Sequence, residues 1–184
     1  MHVKLLIGDA VAAEKTVEVR LDPSVSVPGN ALATQLEYAL KARDMESAGN
    51  QVLKDLDSIK EQLSASEKLF KDNGKTVADA IAHDIKQVDK VSAELGRPPE
   101  VARLAEGPHL MEKVSSLFQS LDGVDAAPTA AQIEYFGEIA SEYRQKMSDA
   151  VTFLSKTVPQ WNAELQKAGA PVIVVGKAVE VPKV

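Results

Sequence analysis

The chain has 184 residues, of which 45% are hydrophobic and 26% charged, and these proportions are typical of one folded domain with a small appendage. The formal net charge of −6 disfavours nucleic acid or an anionic membrane as the main partner, because both carry negative charge themselves. Cysteine is absent, which excludes disulfides, thiolate zinc sites and a cysteine nucleophile. No apolar run approaches the ~20 residues of a membrane span, and no signal peptide is expected at the start of the chain.

Residues 1–27 are predicted to form a β-hairpin and a linker. Residues 3–7 are a mainly apolar run, and residues 16–21 alternate between apolar and charged side chains, which is the pattern of a half-buried strand. A long connection that begins at Gly8 would join the two strands, and the Pro-rich residues 22–29 indicate a linker. Because an isolated hairpin is marginal in water, we expect another element to cover it.

Residues 28–170 are predicted to form a mainly helical, elongated, antiparallel up-down bundle of two long and two short helices. The predicted helices cover residues 30–72, 76–95, 109–122 and 129–168, and a further short helix is possible at 98–105. The last helix begins at the capping box Thr129-x-x-Gln132, and its apolar stripe keeps one phase as far as Ala168. At ~1.5 Å per residue it would be roughly 60 Å long, so we expect it to be the spine of the fold. Pro159 lies inside it and predicts a kink.

The unequal helix lengths predict a four-helix head and a two-helix stalk. The head would contain residues 50–72, 76–95, 109–122 and 129–150, and the stalk residues 30–48 and 150–168. The apolar stripe of the first long helix changes side near Gly49, from Leu36 and Leu40 to the stripe that begins at Met45. Either the helix kinks there or its halves face different neighbours, and a head with a stalk favours the second interpretation.

Residues 171–184 are predicted to form two C-terminal tail strands. The apolar runs 172–175 and 178–181 flank Gly176 and Lys177, which indicate a turn. These strands and the hairpin would lie at the same end of the bundle. There they could pair in one small sheet, in which each covers an edge of the other.

The sequence offers no constellation for catalysis, cofactor binding or metal binding, so we predict no site residue of any of these kinds, no cofactor and no enzyme. His2, His83 and His109 lie on separate predicted elements, and the Asp79–His83 pair lacks the third ligand that a zinc site needs. Di-iron, phosphate-loop and nucleophile-elbow motifs are missing as well. Four carboxylates of the last helix are interpreted as solvated, namely Glu138, Glu142, Asp149 and Glu164. Its aromatic residues Tyr143 and Trp161 are expected to pack in the core.

Four segments stand out, namely Val19-Arg20-Leu21-Asp22-Pro23, Asp125-Ala-Ala-Pro-Thr129 before the last helix, Trp161-Asn162-Ala163-Glu164-Leu165, and Ala168-Gly169-Ala170-Pro171-Val172-Ile173. They resemble the extreme C-terminus of large bacterial sortilin-like, BNR-repeat β-propeller proteins, which are often labelled glycosyl hydrolases. In that family an Ig-like sandwich follows the propellers and a helical segment closes the chain. The resemblance implies a C-terminal fragment with an extracytoplasmic location, whereas the residues themselves leave the compartment open. The family's functional surface would lie in the propellers, so no functional residue is carried over.

The sequence therefore favours a non-catalytic helical accessory or protein-interaction module. Its partners would be domains of the parent protein or another protein, with a homodimer as an open alternative. A stand-alone helical bundle that holds a small apolar ligand, as a binding or sensor domain, is the alternative function. An enzyme in its own right is disfavoured because no catalytic constellation is present.

Overall fold

The computed structural model describes residues 1–20, 22–24, 26–27, 29–72, 74–96 and 107–184. Its elements are β1 (His2–Ile7), β2 (Ala10–Thr16), α1 (Ala31–Phe70), α2 (Lys75–Leu95), α3 (Leu110–Asp122), α4 (Ala130–Thr152) and α5 (Val158–Lys167), with a π-helical turn at Phe153–Thr157. The predicted mainly helical bundle with a small hairpin is confirmed. The short helix predicted at 98–105 lies outside the described residues. None of the described helices combines the length and the apolar character that crossing a membrane requires.

The predicted spine is one continuous helical rod, formed by α4, the π-turn and α5. The capping box at its start is confirmed, because Thr129 Oγ1 accepts the Gln132 N–H and the Gln132 side chain accepts the Thr129 N–H. A kink was predicted at Pro159, and the structure has a π-turn just before this residue, where the Val158 N–H donates to the Phe153 carbonyl five residues back. A wider turn suits this position because proline has no N–H to donate. The rod ends before Gly169, whose φ of 73° is readily adopted by glycine.

Helix α1 has one buried face along its whole length, so the predicted rotation of its apolar stripe is wrong. The buried residues are Ala31, Ala39, Ala42, Met45, Gly49, Val52, Leu53, Asp55, Leu56, Ile59, Leu63 and Ser66. Leu36 and Leu40, which suggested the rotation, are 55% and 38% exposed. In the first half of α1 most buried residues are small, which allows close contact between helices. The bulkier Leu36 and Leu40 lie on the exposed side of this half.

The two long helices lie side by side and run in the same direction. Tyr38 packs edge-on against Phe136 at 5.0 Å between ring centroids, and further along the Tyr143 hydroxyl donates to the Met45 carbonyl at 3.0 Å. Since residue numbers in α1 and in the rod rise together, the two helices are parallel, whereas the predicted up-down order would make them antiparallel.

The short helices α2 and α3 follow one another along α1, so the predicted head and stalk do not form. Near the start of α1, Gln35 Nε2 donates to the Leu121 carbonyl of α3, and near its end Lys60 Nζ lies 2.6 Å from Asp89 Oδ1 of α2. Residues 30–48 therefore pack against α3 and the first half of α4 instead of against residues 150–168. This arrangement covers the apolar face of α1 from end to end, whereas a bare stalk would leave half of it in water.

The hairpin is tighter and shorter than predicted. Its second strand is β2 (Ala10–Thr16), and residues 17–20 are not in a strand, so the strand predicted at 16–21 is wrong. Ile7 pairs directly with Ala10, which leaves a two-residue loop, and Gly8 has a φ of 62°. A positive φ at the first loop position is what a type II′ hairpin turn requires. The Ala-rich β2 carries little β-propensity, which is why the alternating residues after it gave the stronger strand signal.

The tail strands predicted at 171–184 do not form. Residues 171–184 contain no helix or strand, and side-chain amides of the helices bond to the backbone at Ile173 and Val174. Asn162 on α5 donates to the Ile173 carbonyl at 2.9 Å and accepts its N–H at 2.6 Å. Gln62 on α1 makes the same pair of bonds with Val174, at 2.9 and 2.8 Å. The tail thus joins the second half of α1 to α5, and the described sheet contains only β1 and β2.

Candidate functional sites

The histidines considered for metal binding stay apart in the structure. His2 lies on β1, His83 is exposed on α2, and His109 caps the start of α3. Asp79 is exposed beside His83 on the same helix. Within the described ranges, no three His, Asp or Glu side chains converge on a point where they could hold a metal ion.

The acidic and aromatic side chains considered on the rod are exposed, paired with a lysine or buried in the core. Glu138 and Asp149 are exposed. Glu142 lies 2.9 Å from Lys113 of α3, and the hydrogen bond from this lysine lowers the pKa of Glu142. Tyr143 and Trp161, at 0% and 6% exposure, are core residues as predicted. Burial raises the pKa of Tyr143, so that its hydroxyl keeps the proton that it donates to α1.

The hairpin has one apolar face that no described helix covers. Side chains alternate along β1, so Val3, Leu5 and Ile7 lie on one side and form what we call the hairpin face, where Lys15, Ala13 and Ala10 of β2 lie opposite them. They are 49%, 61% and 71% exposed. The strands contact each other and none of the helices. Neighbouring apolar side chains that are exposed on one face form a candidate docking site.

The opposite face of the hairpin is more polar. Glu14 lies 3.5 Å from the His2 ring and 3.7 Å from the Lys4 ammonium group. Only the Leu6–Val11 pair next to the turn is apolar on this side. An apolar face and a largely charged face are what one expects of strands that pack on a core with one side and meet water with the other.

A cleft between α2 and α5 holds a carboxyl group with a perturbed pKa. Desolvation, followed by the negative charge of Glu164, raises the pKa of Asp84 to about 6, although the neighbouring His83 opposes the shift. The cleft has a volume of about 200 Å³, and Trp161 and Ile81 form part of its apolar lining. The cleft brings Asp84 only the exposed Glu164 as a partner in acid–base chemistry, which is too few groups for a catalytic site.

Asp55 lines a second cavity, and one of its carboxyl oxygens is buried without a partner among the described side chains. Asp55 on α1 is 7% exposed, and its Oδ1 accepts a hydrogen bond from Gln51 Nε2 at 3.0 Å. Its Oδ2 is buried and has no hydrogen-bond partner. The cavity of about 160 Å³, here called the Asp55 cavity, is lined by Asp55, Val151, Leu154, Ser155, Val175, Gly176, Lys177, Ala178 and Val179. Most buried polar atoms are hydrogen-bonded, so an unpaired carboxyl oxygen marks a place where a ligand would be stabilised.

Neither Asp55 nor Asp84 was among the residues considered from the sequence. A signal for both was present, since each acid lies at the edge of an apolar helical stripe. Asp55 falls beside Val52 and Leu56, and Asp84 falls between Ile81 and Ile85. An acid in such a position is a candidate for a buried or shifted group.

Comparisons with protein-family models, with curated proteins and with solved structures find no match to this chain, so the sites are interpreted from their own geometry.

Proposed function

We propose that this chain is a non-catalytic helical interaction module that docks through the hairpin face onto an apolar β-sheet surface, either of a partner protein or of another domain of a parent protein. The exposure of Val3, Leu5 and Ile7 is the observation that carries the proposal. The three side chains lie together on one face of the hairpin, and no described helix contacts the strands.

The energetics of the hairpin favour a covering partner. Burial of one large aliphatic side chain contributes about 1.5–3 kcal/mol, so a surface that covers all three would stabilise the complex by several kcal/mol before the cost of association. A two-stranded hairpin alone is marginal in water, so the partner would also stabilise β1 and β2 themselves.

The shape of the hairpin favours a sheet as the covering surface. Two strands present a flat row of alternating side chains, and such rows interdigitate with another sheet at about 10 Å separation. The charged groups of the opposite face, His2, Lys4 and Glu14, would remain in water. The resemblance to sortilin-like, BNR-repeat proteins agrees with this arrangement, because there an Ig-like sandwich precedes the helical segment. A parent of that kind would make this chain its C-terminal accessory part.

Site-specific photo-crosslinking tests the proposal. A photoreactive residue is placed at position 5, on the hairpin face, or at position 6, on the opposite face, in cells that produce the protein naturally. These positions are matched, because Leu5 and Leu6 are 61% and 58% exposed. We expect position 5 to yield one adduct that mass spectrometry maps to apolar strand residues of a partner, and position 6 to yield little. Equal yields at both positions, or adducts on helical or polar surfaces, would contradict the proposal.

Affinity for the captured partner gives a second measure. Leu5→Glu places a charge in the buried interface and is expected to weaken binding at least tenfold, whereas Leu6→Glu changes it less than threefold. If both variants bind as the wild type does, the hairpin face is not the docking surface. A crosslink from one copy of the chain to the hairpin face of another, with a dimer in light scattering, would instead establish a homodimer.

A bundle that holds a small ligand is the second candidate function. The Asp55 cavity favours it, because this cavity combines apolar walls with an unpaired polar atom. Two larger hollows, of about 600 and 560 Å³, are open surface grooves without such a group.

A further inference from the structure

We infer that the Asp55 cavity binds a small organic cation, a primary ammonium group on an aliphatic body of about four to six carbons. This inference is independent of docking through the hairpin face, because the cavity lies between α1, the π-turn and the tail.

The carboxyl group of Asp55 specifies the charged end of the ligand. Gln51 satisfies Oδ1, whereas Oδ2 is buried without a partner. A carboxylate that is buried and only half satisfied is costly, and a donor that also carries positive charge offsets this cost best. An ammonium group supplies both the N–H and the charge.

The walls of the cavity specify the rest of the ligand. Aliphatic side chains from the rod and from the tail line the cavity together with Asp55, namely Val151, Leu154, Val175 and Val179. A metal ion would need several oxygen ligands, and in the described part of the chain no three acidic or histidine side chains converge. The volume of about 160 Å³ matches the ~150 Å³ of an engineered protein cavity that takes up benzene. The cavity therefore suits a compact aliphatic group.

Two local features of the backbone form the cavity. The π-turn at Phe153–Thr157 contributes Leu154 and Ser155 to one wall, and such turns are frequent at functional sites. Gly176 forms part of the opposite wall, where a Cβ atom would lie 2.6 Å from Asp55 Oδ1. Glycine at this position thus allows the tail to approach the carboxyl group closely.

Lys177 is the competing occupant. Its exposed side chain belongs to the cavity lining and carries the same ammonium group as the inferred ligand, yet it makes no ion pair with Asp55 in the structure. A ligand with an aliphatic body has the advantage over Lys177 that it also fills the apolar volume. Lys177→Ala should therefore keep or increase the affinity for the ligand.

Titration of the ¹⁵N-labelled full chain with n-butylammonium tests the inference. We expect saturable amide shifts at Val151, Val175 and Gly176, and none of comparable size with 1-butanol or potassium chloride at the same concentration. Asp55→Asn should weaken n-butylammonium binding about tenfold or more, because a charge-assisted hydrogen bond is lost. Asp79→Asn removes the same charge from an exposed position on α2 and should change the affinity less than twofold.

A cavity-filling variant keeps the test decisive if Asp55→Asn fails to fold. Val151→Phe leaves the carboxyl group in place but occupies the apolar volume, and it should also weaken binding about tenfold. The inference is overturned if n-butylammonium and potassium chloride give the same shifts, if butanol binds equally well, or if Val151→Phe binds as the wild type does. It is also overturned if Lys177→Ala abolishes binding, or if no shift occurs and a crystal structure shows only water on Oδ2.

Discussion

Gly49 of α1 lies against Met111 of α3. Because of this contact we expect Gly49→Ala to lower the free energy of unfolding, although alanine usually stabilises a helix interior relative to glycine. A Cβ atom at position 49 would lie 2.4 Å from the sulfur and 2.6 Å from the terminal methyl carbon of Met111. Met111 is 7% exposed, and near its backbone a Cβ atom at Gly96 would lie only 3.0 Å from the Met111 Cβ. The sulfur and the methyl carbon are the flexible end of the side chain, so Gly49→Ala has to displace this end from its buried position.

Two opposing terms decide the effect of Gly49→Ala. Alanine stabilises a helix interior by about 1 kcal/mol relative to glycine. Displacement of the buried Met111 side chain costs about 2 kcal/mol of burial, within the range of 1.5–3 kcal/mol for large apolar side chains. We expect Gly49→Ala to lower the free energy of unfolding by about 1 kcal/mol, which corresponds to roughly 2–4 °C in Tm for a chain of this size.

Gly137 provides the matched control for this substitution. It lies inside α4, and a Cβ atom added there would meet no other atom within 4 Å, so Gly137→Ala should raise the free energy of unfolding by about 1 kcal/mol. Urea denaturation followed by circular dichroism measures both variants. In a Met111→Ala background the steric conflict is gone, and Gly49→Ala should become stabilising. If Gly49→Ala stabilises the wild-type chain as much as Gly137→Ala does, the reasoning about Met111 is wrong.

Three further substitutions test other contacts. Tyr143→Phe removes the hydroxyl that donates to α1 at 3.0 Å and should cost about 1 kcal/mol in urea denaturation. The pKa of Asp84 is raised to about 6, so its folded state binds the proton more tightly and stability falls as pH rises from about 4 to 6. Asp84→Asn should remove that slope and stabilise the protein at pH 7 by about 1 kcal/mol, once solvent screening is allowed for. Asn162→Ala removes two bonds to Ile173 and should cost about 2 kcal/mol and speed hydrogen exchange at the Ile173 amide.

Each of these expectations has a result that contradicts it. A Tyr143→Phe variant as stable as the wild type would mean that the hydroxyl bond contributes nothing. Asp79 is exposed on the same helix as Asp84, so Asp79→Asn should keep the wild-type dependence of stability on pH. If both variants lose this dependence, it arises from general charge repulsion and not from Asp84. Unchanged exchange at Ile173 in Asn162→Ala would show that apolar packing alone holds the tail.

The sequence by itself determined where the helices begin and end. The predicted spans 30–72, 76–95, 109–122 and 129–168 agree with the structure to within two residues at each end. The reason is local, because capping side chains, glycine stops and apolar periodicity act within a few residues. Even the irregularity near Pro159 follows from the missing N–H of one residue.

Only the tertiary structure decided which surfaces are buried and which groups meet. Before Met45 the buried residues of α1 are the small Ala31, Ala39 and Ala42, so hydrophobicity pointed instead to Leu36 and Leu40, which are exposed. The tail forms no strands because amides from α1 and α5 satisfy its backbone. The Asp55 cavity combines a residue of α1 with the π-turn and the tail, which lie about a hundred residues further along the chain. Such sites depend on contacts between distant segments, and sequence periodicity carries no information about those contacts.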